Sequence, residues 1–145
     1  MKNPKELLLA DHARLDQLFA ELLAMFKSED KDAIDRAWTA FDEGLTSHLD
    51  AEEKHILPLF REVDAKEADA ILAEHAGFRE KLARLGVMVD LHAVDTNIAA
   101  EFVAGLRAHA HREDRLMYTW ADEHLGKPER ESLLALLRRP FAGRA

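Results

Sequence analysis

The sequence predicts an all-α protein, an up-down-up-down four-helix bundle with a short C-terminal helix. Three observations carry that expectation. Turn signals are few and leave four long segments between them, each long segment has an apolar stripe spaced by alternating threes and fours, and no segment alternates like a strand. Short connections make consecutive helices antiparallel neighbours. With 145 residues the chain is expected to form one domain, spanning 1–145, around a single core.

The first helix opens at Asn3-Pro4, a capping residue followed by proline at the first helical position, with Glu6 as the reciprocating glutamate. It is expected to run to about Lys27. The polar stretch Ser28-Glu29-Asp30-Lys31 is a connection, with Asp30 as N-cap of a second helix that continues past Ala51. Pro58 should kink or shorten its end. Asp64 with Glu67 three residues on is a capping box for a third helix lasting to about Leu91. Asp95 or Thr96 starts the fourth helix and Gly126 stops it. Pro128 begins the final short helix, which ends near Arg139 and packs through Leu133, Leu134, Leu136 and Leu137.

Composition excludes several function classes. A formal net charge of -8 with no cluster of Lys or Arg leaves no electrostatic footprint for nucleic acid or an anionic membrane. The absence of cysteine excludes disulfides, thiolate zinc sites, protein-held iron–sulfur clusters and thiol catalysis. Met1 to Asp11 carries charges throughout, and no stretch approaches the ~18 apolar residues of a membrane span, so a cytoplasmic protein is expected.

The stripes hold the chemistry. They read Leu8, His12, Leu15, Phe19, Leu22, Phe26 in the first helix and Trp38, Phe41, Leu45, His48, Glu52, Ile56, Leu59 in the second. The third has Ile71, His75, Phe78, Leu82, Leu85, Val89, and the fourth Ile98, Phe102, Leu106, His109, Glu113, Leu116, Trp120. Each stripe contains one histidine and two also contain a glutamate. Such groups on a buried seam are costly unless hydrogen-bonded or bound to something. A structural His–Glu network would satisfy them without metal, but imidazoles and carboxylates in one layer are the donor set of a transition metal, and six together favour metal. Iron, manganese and zinc all suit these donors, and the spacing does not choose among them.

The chain also repeats itself. Ala10-Asp11-His12-Ala13 recurs as Ala73-Glu74-His75-Ala76, and His48, Glu52, Glu53, Lys54 match His109, Glu113, Asp114, Arg115. Two helical hairpins, each giving one His and one HxxxE pair, predict a pseudo-twofold site for two metals. Residues i and i+4 share a helix face, so His48 with Glu52, and His109 with Glu113, can reach one ion, and the carboxylates can bridge. Helical rise brings the ligands of each hairpin level, although His48 lies farther from the connection to the third helix than His75 does. His55, near the inner face but matched by Leu116, is read as a supporting or structural residue, and His92, His111 and His124 as surface or helix-end residues. Trp38 and Trp120 are expected to fill core near one end of the bundle.

At these residues the chain resembles the hemerythrin and HHE cation-binding family. His48-Leu-Asp-Ala-Glu52-Glu53-Lys-His-Ile-Leu-Pro58-Leu-Phe is similar to that family's second-helix signature, proline included, and His12, His75 and the His109-to-Glu113 pair follow in the family's order. The resemblance implies two non-heme irons, with His12, His48, His75 and His109 as terminal ligands and Glu52 and Glu113 bridging. Manganese or zinc are possible substitutes. Oxygen-carrying members have a fifth histidine where this chain has Arg79, which argues against reversible oxygen carriage. They also place the last carboxylate one residue on, at Asp114, whereas the duplicated spacing selects Glu113. Water, a nearby carboxylate or Tyr118 could fill the remaining ligand position, though regular helical phase puts Tyr118 off the stripe. The expected function is a module that binds or senses O2, NO, peroxide or iron. The alternatives are a diiron oxidoreductase, an iron donor for cluster repair, or a metal-independent structural bundle. A sensor would act through a separate protein partner, which the residues do not identify.

Overall fold

Side-chain caps set where the helices begin. The computed structural model describes residues 3–144, and among them every regular element is helical. Helix α1 spans Pro4–Phe26, with the Asn3 side chain accepting the Glu6 N–H at 2.8 Å. Helix α2 spans Lys31–His55, with Asp30 accepting from Ala33 N–H at 3.1 Å. After the short α3, Leu57–Val63, Asp64 caps α4, Ala65–Asp90, through the Glu67 N–H. Asp95 accepts from the N–H groups of Asn97 and Ile98 at the start of α5, Thr96–Glu113. Each such cap satisfies a backbone donor that the helix itself leaves free, and contributes about 1 kcal/mol. A π-helical turn, Asp114–Tyr118, joins α5 to α6, Thr119–His124, and α7 follows at Lys127–Leu137. The 3-10 turn Phe141–Gly143 leads to Arg144.

The second predicted helix is interrupted rather than bent. Pro58 has no N–H to continue the ladder, Ile56 turns out to φ -117°, and the chain restarts with Phe60 N–H donating to Ile56 O at 2.9 Å. The restart changes phase, so Leu57 and Phe60 are buried while Leu59, expected on the stripe, is half-buried. Two other stripe positions differ from expectation. Ile98 is 37 % exposed with Ala99 facing inward, and Leu116 is 43 % exposed with Met117 and Tyr118 fully buried. The final helix is shorter than expected, and Leu133 and Leu137 are its buried residues while Leu134 and Leu136 are half-buried.

The core is divided in two. One cluster holds Leu15, Phe19, Leu22, Phe41, Leu45, Leu49, Phe78, Leu82, Leu85 and Phe102, with Trp38 packed against it. The other holds Leu8, Ile56, Leu57, Ile71, Met117, Tyr118, Leu133 and Leu137, with Trp120 packed against it. The two tryptophans therefore sit in different clusters, not near one end, because Trp38 lies early in α2 and Trp120 late in the fourth stripe. Between the clusters lie buried His48, Glu52, His75, His109 and Glu113. Among the described residues, no helix is long and apolar enough to cross a membrane.

Candidate metal centre

All six predicted ligand residues point into the layer between the clusters. At one end, His12 Nε2 lies 3.0 Å from His48 Nε2 and 3.5 Å from Glu113 Oε1, and Glu52 Oε1 is 2.9 Å from His48 Nε2. At the other, Glu113 Oε2 lies 3.1 Å from His109 Nε2 and 3.4 Å from His75 Nε2. Two donor sets result, His12 with His48, Glu52 and Glu113, and His75 with His109 and Glu113, each with its ligand atoms within 4.8 Å of one another. Glu113 belongs to both, one oxygen facing each half. Glu52 reaches across less, its Oε1 being 4.0 Å from His75 Nε2. Asp114, the other possible bridge, instead pairs with Lys5 at 3.6 Å.

Tyr118 is a correction. Regular α-helical phase turns it away from the stripe, but the π turn takes in an extra residue and places Tyr118 on the same face as Glu113. Its hydroxyl lies 2.8 Å from His12 Nε2, 3.0 Å from His48 Nε2 and 3.4 Å from Glu113 Oε1. The Thr119 hydroxyl donates to Asp114 O at 3.0 Å, satisfying a carbonyl in the widened turn. No proline or glycine in Asp114–Tyr118 announces the change, and the one cue was Tyr118 itself, five residues after Glu113.

His48 and His75 are hydrogen-bonded from behind, and His109 has a carboxylate near the same position. His48 Nδ1 faces Asp11 Oδ2 at 3.2 Å, His75 Nδ1 faces Glu53 Oε2 at 2.8 Å, and Glu74 Oε1 lies 3.4 Å from His109 Nδ1. A carboxylate that accepts a hydrogen bond from Nδ1–H turns the Nε2 lone pair toward the centre, the arrangement that orients metal-binding imidazoles. These partners were overlooked in the sequence although they stood in the repeat, as the acid before His12 and His75 and the acid after Glu52. Each supports a histidine on another helix, so helical spacing within one segment could not show it. Arg79, at the fifth-histidine position, pairs with Glu53 and with Asp50, so it buttresses His75. His55 lines a surface groove between α2 and α7 and does not join the layer.

Several buried polar atoms of the layer lack hydrogen-bond partners among the described residues. Both Glu52 oxygens and both His109 ring nitrogens are buried without a hydrogen-bond partner among the described residues, although Glu52 Oε1 is close to His48. The Glu52 oxygens and His109 Nε2 face the layer, which suits a cation, while His109 Nδ1 faces Glu74. Without one, protons must do the same work. Burial pushes His48 down, but the charges of Glu52 and Asp11 outweigh it and raise its pKa to about 10. Burial and the Glu113 charge push Glu52 up to about 7, against His48. Glu113 is also buried, yet the facing Glu52, His109, His12 and His75 side chains hold it well below the carboxylate range. His12 is lowered by burial. Burial, then the charges of Glu113 and Glu52, push the Tyr118 phenol well above its usual value.

A helical bundle with a buried layer of histidines and carboxylates, drawn from helices that face one another, is the class of protein that holds metal ions between its helices. The family model described as hemerythrin HHE cation binding domain matches residues 3–121, and the chain belongs to that family. No curated protein and no solved structure matches it.

Proposed function

We propose that this chain binds two non-heme iron ions and presents them to a small ligand such as O2, NO or peroxide, as a binding or sensing module. His12, His48, Glu52 and Tyr118 would hold one ion and His75 and His109 the other, with Glu113 shared. An up-down-up-down order of the long helices belongs to the same reading, since it brings these residues level. The observation that carries the proposal is the pair of buried Glu52 oxygens and His109 Nε2, none with a hydrogen-bond partner among the described residues, facing a layer of lone pairs. Iron there would supply reversible one-electron chemistry and affinity for small electron-rich ligands.

The surroundings limit the ligand's size. A cavity of about 70 Å³ lies against His12, His48, His109 and Glu113, walled by Leu15, Leu45, Leu49 and Leu106. It is large enough for a few waters and therefore for a diatomic molecule or peroxide, but not for an organic substrate of ordinary size. Asp16 and Arg107, an exposed ion pair at 2.8 Å, stand at its edge.

Tyr118 favours a second reading, a diiron oxidoreductase acting on peroxide or nitric oxide, because its phenol is a hydrogen donor within 3.0 Å of two histidine ligands. Iron-loaded protein given peroxide anaerobically separates the two. A binding module forms a stable adduct spectrum with stoichiometric consumption, whereas an oxidoreductase turns over many equivalents and loses that turnover in Tyr118→Phe. An iron donor would instead release its iron to an acceptor protein or chelator on reduction.

A further inference from the structure

Among the described residues Arg144 is the one buried arginine or lysine, its side chain 1 % exposed. Both terminal nitrogens of its guanidinium grip Asp11, with Nη2 donating to Oδ1 at 2.9 Å and Nη1 donating to Oδ2. Nη2 also donates to Leu137 O at 2.8 Å and Nε to Arg139 O at 3.1 Å, so the group is anchored on the carbonyl end of α7. Its plane lies over the Phe141 ring, 4.8 Å from the centroid. Asp11 Oδ2 is at the same time the atom that faces His48 Nδ1. The chain thus runs from α7 through Arg144 and Asp11 to a histidine of the layer.

Two other arginines stand behind carboxylates in the same way, Arg79 behind Glu53 and Arg112 behind Glu74, but their side chains are 35 % and 39 % exposed. Solvent screens those pairs and replaces them readily when they are lost. Arg144 has no such substitute. Without it, Asp11 becomes a buried anion whose remaining partner is His48, and the carboxylate must turn toward water or take a proton. Either change releases His48 Nδ1.

We propose that Arg144 is a positioning residue of the metal centre, fixing Asp11 and through it His48, so that the segment after α7 sets metal affinity at the His12–His48 half. This rests on the metal-binding reading above. It draws on residues outside 3–121, the span matched by the family model. A planar bidentate fork is needed here, so lysine restores the charge without the geometry. The coupling is reciprocal, because a segment that favours metal binding must itself be held more firmly when metal is bound.

The test titrates wild type, Arg144→Ala, Arg144→Lys, Asp11→Asn and the Asp11→Asn/Arg144→Ala double variant with Zn2+ and, anaerobically, with Fe2+ against a competing chelator. Arg61→Ala, which removes an exposed pair remote from the layer, is the control. Expected is a loss of roughly ten- to a hundredfold in affinity for one of the two ions in Arg144→Ala, with the other ion retained. Arg144→Lys falls between, Arg61→Ala matches wild type, and in the Asp11→Asn background removing Arg144 has no further effect. Gly44→Ala approaches from another side, since its Cβ would stand 2.8 Å from the Phe141 ring and press the segment outward, and it should weaken the same ion.

Should Arg144→Ala fail to fold, hydrogen exchange on the unaltered protein decides, because metal loading should slow exchange in residues 138–144. Affinities in Arg144→Ala within about threefold of wild type at both ions, an equal loss in the Asp11→Asn background, or unchanged exchange on loading would overturn the proposal. A wild type that binds neither ion overturns the metal-binding reading with it. Two ions in wild type and two undiminished ions in Arg144→Ala overturn this inference alone.

Discussion

Glu113 has one oxygen toward each half of the layer, and that asymmetry between ligands gives the sharpest expectations for substitution. Glu113→Ala should abolish binding of both ions, whereas His109→Ala should cost one. Asp114→Ala, which loses only a contact with Lys5, should keep full metal content. Elemental analysis of the three purified variants checks this, and full iron in Glu113→Ala would remove it from the centre. His48 gives the pH dependence. Its folded pKa of about 10 lies above the ~6.5 of the unfolded chain, so in the metal-free protein its stabilising contribution is complete below about pH 6.5 and is lost as pH rises toward 10. Metal competes for the same nitrogen, so the sign reverses for the loaded protein. Metal uptake at pH 7 should release protons and affinity should rise with pH through neutrality. Calorimetric titration in buffers of different ionisation enthalpy measures the release, and none at pH 7 would contradict the protonated His48.

The four helices that carry the candidate ligands were legible because caps and stripe period agreed, and where helical phase stayed regular most predicted positions are buried, Ile98 at the start of α5 being an exception. The two breaks in helical phase share a location. Both HxxxE segments lose regular α-helix within one turn of their glutamate, at Ile56 in one and directly at Asp114–Tyr118 in the other. Pro58 foretold the first, since it lacks the N–H the ladder needs. The second follows from where Tyr118 is buried and from how the Thr119 hydroxyl meets a carbonyl, both tertiary facts that periodicity does not carry. A π turn is an α-helix with one residue too many. Deleting exposed Arg115 should restore regular helix, leave Tyr118 one α-turn from Glu113, and raise the melting temperature without loss of iron. A variant that keeps its fold but loses the iron would show that the widened turn itself is needed by the centre.

Across the whole molecule, two apolar clusters supply the stability and the layer between them supplies the chemistry. The six candidate ligand residues could be picked out in sequence because they repeat and because buried carboxylates on an apolar stripe demand a common explanation. Asp11, Glu53, Glu74 and Arg144 could not, since each acts on a residue of another element, Arg144 across 133 positions. Metal analysis with a visible spectrum, on protein purified without chelator and then given azide, peroxide or nitric oxide, tests the central claim most directly. The account predicts two irons per chain and an absorption that shifts when the small ligand is added. Protein that contains no metal and takes up none from ferrous iron under anaerobic conditions would contradict it, leaving the histidine and carboxylate layer as a proton-held structural network.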